Sequence, residues 1–400
     1  MLPLDGRRLW LVGIGGAGLS AYGILARAWG AEVAGWDRVE TPYLARVRAD
    51  GIPVTIGPEP VAGPAGYETI VSTAFAGQVP GKSRSELLAE LVSLRRSIVV
   101  TGAHGKTTTS AMIAFCLQEL AQEPAYLIGA EVPQLGGNAG TGEGWLVVEG
   151  DESDRTAFAL EPEIAVVTNV ELDHHTTFGS LAELEECFRR WIAGLGEASV
   201  VWGPDLEPTD VPLAIAGEHN RRNAACALAA LELVGISMAD SARALRDFTG
   251  AGRRFELRGE SAGVRLYDDY AHHPTEVTAT LATARSLAGA GRIIAVFQPH
   301  LYSRTAYLAH EFATALARAD AAVVTEIYPA REEPWPEVTG KLVVDRLTEI
   351  RPGMQVGWAR RLDDATMLVV ATARAGDVVL TLGAGDIETI SPAILERLGR

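Results

Sequence analysis

The run VVTGAHGKTTTSAM, residues 99–112, joins an apolar strand to an amphipathic helix through a glycine-bearing turn. It also contains Lys106, one of three lysines in the chain beside Lys82 and Lys341; every other cationic side chain is an arginine. A strand, a glycine turn, a lysine and a hydroxyl residue in that order form a phosphate loop. The backbone amides of Gly102, Ala103, His104 and Gly105 cradle ATP phosphates, Lys106 reaches the outer oxygens, and the Thr107 hydroxyl, followed by Thr108, is placed for Mg²⁺. A lysine suits this position because its ammonium is a compact point charge on a thin stem, whereas a guanidinium fork is broad. Val100 stands where the commonest form of the loop has glycine, so this is a variant loop.

Working outward, short Val/Ile/Leu runs recur between helical segments. RLWLV precedes a glycine turn and a helix, SIVV precedes the lysine loop, and VRLYDD, RIIAVF, AAVVTE and VVLTL follow after residue 252. Near-continuous apolar strands alternating with helices predict parallel sheets covered on both faces, with ligands at the carboxyl ends of the strands. The fold class expected is α/β in three domains: 1–97 Rossmann-like, 98–252 a central P-loop ATPase-type parallel or mixed sheet, and 253–400 Rossmann-like.

The chain has 400 residues, 48% hydrophobic, with a net charge of −16 and three widely spaced cysteines. Such an acidic surface argues against nucleic acid, and the cysteine count suits a reducing compartment. The start, with a carboxylate and two arginines ahead of its first apolar run, does not read as a secretory signal. No stretch reads as a membrane span, and a cytoplasmic protein is expected. In GIGGAG, Gly13, Gly15 and Gly18 match G-x-G-x-x-G, with Asp37 ending the next strand. That pattern places a diphosphate at a helix N-terminus and an acid at a ribose, and by itself leaves open NAD-linked redox chemistry. Acids follow the strand LVVE, led by Glu149, as metal carboxylates would. Histidines collect at strand ends and turns (104, 174, 175, 219, 272, 273, 300). Asn220 and Asn223, three apart on a helix, suit a base edge or a cap.

The ordered set GIGGAGLS, GAHGKTTTS, EGDESD, TNVELDH, GEHNRRNA, GAGRRFE, DDYAHHPTE, FQPHLYSRT, EIYPAREEP and GAGDI resembles the Mur ligases, and most closely their alanine-adding branch. The resemblance covers nearly the whole chain and accounts for Val100, since the family's loop begins T-G-x-x-G-K. It implies an amide-forming ligase that uses ATP and Mg²⁺ to couple L-alanine to the lactyl carboxylate of UDP-N-acetylmuramate through an acyl phosphate, as a monomer or homodimer. It further implies that Gly13, Gly15, Gly16, Gly18, Asp37 and His300 contact substrate, and that Thr107, Glu149 and His174 hold metal. Asn220, Asn223 and Asp269 would lie on the nucleotide, Arg254 would neutralise phosphate, and His272 with Arg304 would face the amino acid. Leu301 departs from the pattern, standing where the family carries an arginine, so a ligase using another amino acid or a murein peptide is the alternative. The link between TNVELDH and GEHNRRNA is short, which predicts a trimmed central domain.

Overall fold

The computed structural model describes residues 2–173, 177–330 and 332–400. It contains three separate sheets, each parallel over most of its width, in the order the apolar runs predict. Two compact units emerge. The first runs through Glu171 and takes in Leu181–Ile215 and Asn220–Ala251; the second comprises the described residues of Leu172–Ser180 and Ala216–His219 together with those of Gly252–Arg400.

In the first unit, strands β1 (Arg8–Val12), β2 (Glu32–Asp37), β3 (Val54–Ile56), β4 (Glu68–Val71) and β5 (Lys82–Ser83) form a sheet of order β3-β2-β1-β4-β5. Helices α1 (Ala17–Ala28), α2 (Pro42–Ala49) and α3 (Arg84–Ser93) make the crossovers. The strand order reverses beside β1, so the glycine turn after Val12 opens at the switch point, where parallel sheets leave a crevice.

The same unit holds a second sheet built from β6 (Ser97–Thr101), β7 (Ala125–Leu127), β8 (Ala139–Thr141), β9 (Leu146–Glu149), β10 (Ile164–Val167) and β11 (Ser199–Trp202). Its order is β11-β10-β6-β9-β7-β8, with only the β7–β8 pair antiparallel. Helices α4 (Lys106–Glu119), α5 (Leu181–Gly194), α6 (Glu218–Val234) and α7 (Met238–Leu245) complete it. Because β6 lies between β9 and β10, the segments leaving all three converge at one edge. Residues 206–217, between the last short turn of this sheet and α6, contain neither strand nor helix.

One expectation changes here. The helix after the lysine loop is not amphipathic: every residue from Thr107 to Leu117 is buried. Cysteine, alanine and hydroxyl side chains fit the enclosed faces, and Phe115 meets Phe248 at 5.5 Å between ring centroids. Packing on all sides anchors the helix that carries the loop at its N-terminus.

The second unit carries β12 (Glu256–Ser261), β13 (Val264–Asp269), β14 (Ile293–Phe297), β15 (Ala321–Thr325), β16 (Gln355–Ala359) and β17 (Val378–Leu382) in the order β12-β13-β17-β14-β15-β16. Only the β12 edge is antiparallel. Helices α8 (Pro274–Ala288), α9 (Tyr302–Leu316), α10 (Lys341–Ile350), α11 (Leu362–Thr372) and α12 (Ser391–Leu398) cover both faces. Asp269 ends β13, and His300 and Gly383 follow the carboxyl ends of β14 and β17.

Candidate active site

The lysine loop is shaped by residues that tolerate no side chain. Gly102 has φ +124° and Gly105 φ +78°. A Cβ at Gly102 would fall 2.4 Å from Thr168 Oγ1, and one at Gly105 would fall 2.1 Å from Asn223 Oδ1. Asn169 clamps the turn from the β10 side, accepting from His104 N at 2.9 Å and donating to His104 O at 2.8 Å. Thr168 Oγ1 donates to the same carbonyl at 2.6 Å. Val100 is a fully buried strand residue, paired with Glu149 across β9 and Val166 across β10, so valine serves the sheet there.

Lys106 Nζ donates to Gly102 O at 2.7 Å, to Ala103 O at 3.2 Å and to Glu152 Oε2 at 2.9 Å. Burial alone would lower the pKa of that ammonium, but the carboxylates of Glu152, Asp151 and Glu149 outweigh it and hold it above the usual lysine range. Thr107 Oγ1 donates to both oxygens of Glu149, at 3.1 and 2.9 Å, and Gly129 N donates to Glu149 Oε2 at 2.7 Å. A hydroxyl and a half-buried carboxylate sharing one point are the oxygen donors a hard divalent cation takes, so this pair fits Mg²⁺. Asn220 and Asn223 are both buried on α6 and face each other, Nδ2 of Asn223 lying 3.4 Å from Oδ1 of Asn220. His174 lies outside the described residues.

The first glycine turn is built by close approach. Gly13 has φ +88°, and Cβ atoms at Gly13, Gly15 and Gly18 would fall 2.3 Å from Ser72 Oγ, 2.8 Å from Asp37 Oδ2 and 2.9 Å from Arg84 Nη1. Gly16 is the N-cap of α1. Asp37 accepts from Gly15 N and from Arg38 N, each at 2.7 Å, so in this structure its carboxylate braces the turn. Arg84, at the start of α3, pairs with Asp154 at 3.0 Å, and Asn138 Nδ2 donates to Ala17 O at 3.0 Å. The two sheets of the first unit are joined through these contacts.

In the second unit, Asp269 ends β13 and accepts from Phe255 N and Ala271 N, each at 2.8 Å. Burial nonetheless pushes its carboxyl up to about 7, against the pull of Arg254 and the two amides. The Arg254 guanidinium sits over the Tyr270 ring at 5.0 Å. Its neighbour Arg253 is spent on structure, bonding Asp268 at 2.9 Å, Gly383 O at 2.7 Å and Gly385 O at 3.1 Å. His272 Nδ1 lies 2.9 Å from Tyr270 O, which fixes the tautomer with hydrogen on Nδ1 and leaves Nε2 as the basic nitrogen. Burial lowers its pKa to about 4, so it is neutral at physiological pH. Arg304, 4% exposed, donates from Nε to Asp173 Oδ1 at 2.8 Å, and its Nη1 meets His300 Nδ1 at 3.1 Å. His300 in turn stacks on Tyr328, with ring centroids 5.8 Å apart. Leu301 caps α9 with φ +71°, a backbone region that branched side chains rarely enter.

The expected residues thus gather as a lysine-loop group with Glu149, Asn220 and Asn223, a separate glycine turn with Asp37, and a third group of Arg254, Asp269, His272, His300 and Arg304. Thr168, Asn169, Glu152, Asp173 and Arg253 stand inside the sequence motifs, where no local signal marks them for the site. Only their partners, far away in sequence, give them a part in it.

Comparison with known proteins finds three family models in succession along the chain. Models described as the Mur ligase family catalytic domain, the Mur ligase middle domain, and the Mur ligase glutamate ligase domain match residues 9–96, 100–207 and 253–385. A UDP-N-acetylmuramate–L-alanine ligase from Streptomyces coelicolor is 38% identical, with 100% of this chain and 99% of that protein covered. The chain belongs to the Mur ligase family. Among solved structures, the UDP-N-acetylmuramate-alanine ligase of Thermotoga maritima superposes with a TM-score of 0.78 at 26% identity, over 98% of both chains. A murein peptide ligase from Psychrobacter arcticus has the same fold, with a TM-score of 0.66 at 23% identity over 99% of both chains. Both kinds of ligase match over the whole length, and the alanine-adding relatives are the more similar, at 38% and 26% identity against 23% for the murein peptide ligase. Alignment to the Streptomyces protein runs over 461 positions, more than the chain's 400 residues, so the chain is the shorter of the two aligned sequences. An oxidoreductase reading of the glycine turn is set aside by the three family matches. Among the described residues, no helix is long and apolar enough to cross a membrane.

Proposed function

We propose that this Mur ligase joins L-alanine to the lactyl carboxylate of UDP-N-acetylmuramate at the expense of ATP, in the cytoplasm. The observation that carries the reading is the lysine loop itself: Lys106 and Thr107 stand opposite two carboxylates of one turn, in a chain aligned end to end with alanine-adding ligases. Residues 1–97 would take the UDP-sugar, with Gly13, Gly15, Gly16 and Gly18 presenting backbone to its diphosphate and Asp37 bracing them. Residues 98–252 would take ATP, and 253–400 would bring the amino acid.

The lactyl carboxylate attacks the γ-phosphorus in line, ADP leaves, and the acyl phosphate so formed is attacked by the alanine amine; inorganic phosphate departs as the amide forms. Little covalent work falls to the protein, so rate comes from positioning and charge neutralisation. Lys106 and the loop amides of residues 102–105 hold the transferring phosphoryl group. Thr107, Glu149 and, by the family pattern, His174 would hold Mg²⁺, which supplies charge neutralisation between nucleotide and acyl phosphate. Asn220, Asn223 and Asp269 serve the nucleotide, Arg254 the phosphate, and His300 the substrate side. His272, neutral with Nε2 unprotonated, would accept a hydrogen bond from the attacking amine, its basicity reduced by burial, and Arg304 would orient the carboxylate of alanine.

Phosphate release measured with ATP, Mg²⁺, UDP-N-acetylmuramate and each of L-alanine, glycine and L-serine tests this. Alanine is expected to give the highest kcat/KM; the absence of alanine-dependent turnover, or equal turnover with a tripeptide, would overturn the reading.

A further inference from the structure

Glu152 is the third residue after Glu149 on the turn that leaves β9, and the two carboxylates address two successive residues of the lysine loop. Glu149 reaches Thr107 and Glu152 reaches Lys106. They differ in exposure. Glu149 is half-buried, whereas Glu152 is 1% exposed with the ammonium of Lys106 against its carboxylate. A carboxylate so enclosed is badly placed to take a hydrated cation and well placed to hold a fixed one.

The turn that presents it is stiff. Ser153 N donates to Asp151 Oδ1 at 2.8 Å and Thr156 N to Asp154 Oδ1 at 3.0 Å. Ala157 N closes on Asp151 O at 2.8 Å and Arg155 N on Glu152 O at 3.0 Å. Gly150 lets the turn pack down, since a Cβ there would already be 3.0 Å from Val99 Cγ1. The Glu152 backbone is therefore anchored from both sides.

An ammonium has three hydrogens, and Lys106 has three acceptors within hydrogen-bond distance. Two are carbonyls of its own loop, Gly102 and Ala103, which move with it. The third, Glu152, belongs to a different strand end, 46 residues further along the chain. Among the described residues it is the hydrogen-bond partner that registers the ammonium against β9, and therefore against Glu149 and Thr107. The geometry points to Glu152 as a positioning residue: it sets Lys106 at the distance from the Thr107–Glu149 pair that phosphoryl transfer requires. This rests on the ATP-dependent ligase reading above.

The test uses the full-length enzyme with ATP, Mg²⁺, UDP-N-acetylmuramate and L-alanine. Turnover by the wild type is measured first, so failure of the ligase reading shows before any variant is made. Displacing a reacting group by about 1 Å costs on the order of 100-fold in rate, so Glu152→Ala is expected to lower kcat by about that factor. The KM for UDP-N-acetylmuramate and for alanine should stay within about threefold, since neither contact is touched. Glu152→Gln keeps an acceptor and the volume of the side chain, and should recover about tenfold of the loss. Melting curves of both variants separate misfolding from misplacement, and Glu152→Gln guards the test should Glu152→Ala fail to fold. A kcat for Glu152→Ala within threefold of wild type would overturn the proposal. So would a kcat loss matched by equal rises in both KM values with no recovery in Glu152→Gln.

Discussion

Lys106–Glu152 and Arg304–Asp173 are both cation–carboxylate pairs beside strand ends, one in each unit, and they are held in different ways. Lys106 is enclosed by backbone: two of its three acceptors are carbonyls of the loop that carries it. Arg304 depends on side chains, with Asp173 on Nε and His300 on Nη1. Side-chain exposure differs as well, at 15% and 2% for the lysine pair and 3% for each partner of the arginine pair. The lysine side chain is the more exposed of the two cations. The arginine is held by the buried Asp173 and the half-buried His300. The lysine is positioned by the loop that carries it, and the guanidinium proposed to meet the amino acid is positioned by its side-chain neighbours.

The widest gap between them should appear on removal. Lys106→Ala is expected to lower kcat by at least about 1,000-fold, the scale of deleting a transition-state charge partner. UDP-sugar affinity, measured by calorimetry, should be largely unchanged; a loss of sugar binding would dissolve the separation of roles between the two sheets of the first unit. Asp173→Asn should act on stability first, because it leaves the Arg304 guanidinium buried beside a neutral amide. A cost of about 3 kcal/mol in urea unfolding is expected, and a variant as stable as wild type would erase the contrast with Lys106.

The second unit also carries two buried groups whose pH signatures oppose each other. His272 falls from 6.5 to about 4 on folding, so the unfolded chain binds the extra proton between those values. Its contribution is present above about 6.5 and is lost as pH falls towards 4. Asp269 rises from 3.8 to about 7, and its contribution is lost as pH rises through that window. Asp269→Asn should therefore make stability fall more steeply than in wild type between pH 6.5 and 4.5, and His272→Gln should do the reverse. Urea midpoints at three pH values read this directly; slopes equal to wild type in both variants would count against it. The smallest effect expected is at the α9 cap. Leu301→Arg should lower the KM for alanine by a few-fold, as one added charge-assisted contact would. An unchanged KM would show that Arg304 and its neighbours already suffice.

Much of this was legible in the chain. Gly102, Gly105, Lys106 and Thr107 impose a local backbone shape and a local chemistry, and both are written in adjacent letters. The same holds for Gly13, Gly15 and Gly18, and for strands such as SIVVT whose apolar run states that both faces are covered. The helix after the loop reads as amphipathic because its alternation of threonine, alanine and bulky residues does not say that Phe248, far along the chain, closes its outer side. Glu152 and Asp173 were hidden for the same reason: each stands in a row of polar letters where nothing distinguishes it from its neighbours. Asp37 was read for its side chain's reach to a ligand, and the fold turns both its oxygens onto backbone amides.

By itself, then, the sequence determined the α/β class, the three successive strand–turn–helix systems and the phosphate loop, since these follow from periodicity and from glycines that only one backbone shape explains. Tertiary structure alone decided which carboxylate each cation meets. Those partners lie 46 residues apart for Lys106 and 131 for Arg304. A pairing over such separations is set by the order of strands in a sheet, which no local pattern of residues encodes.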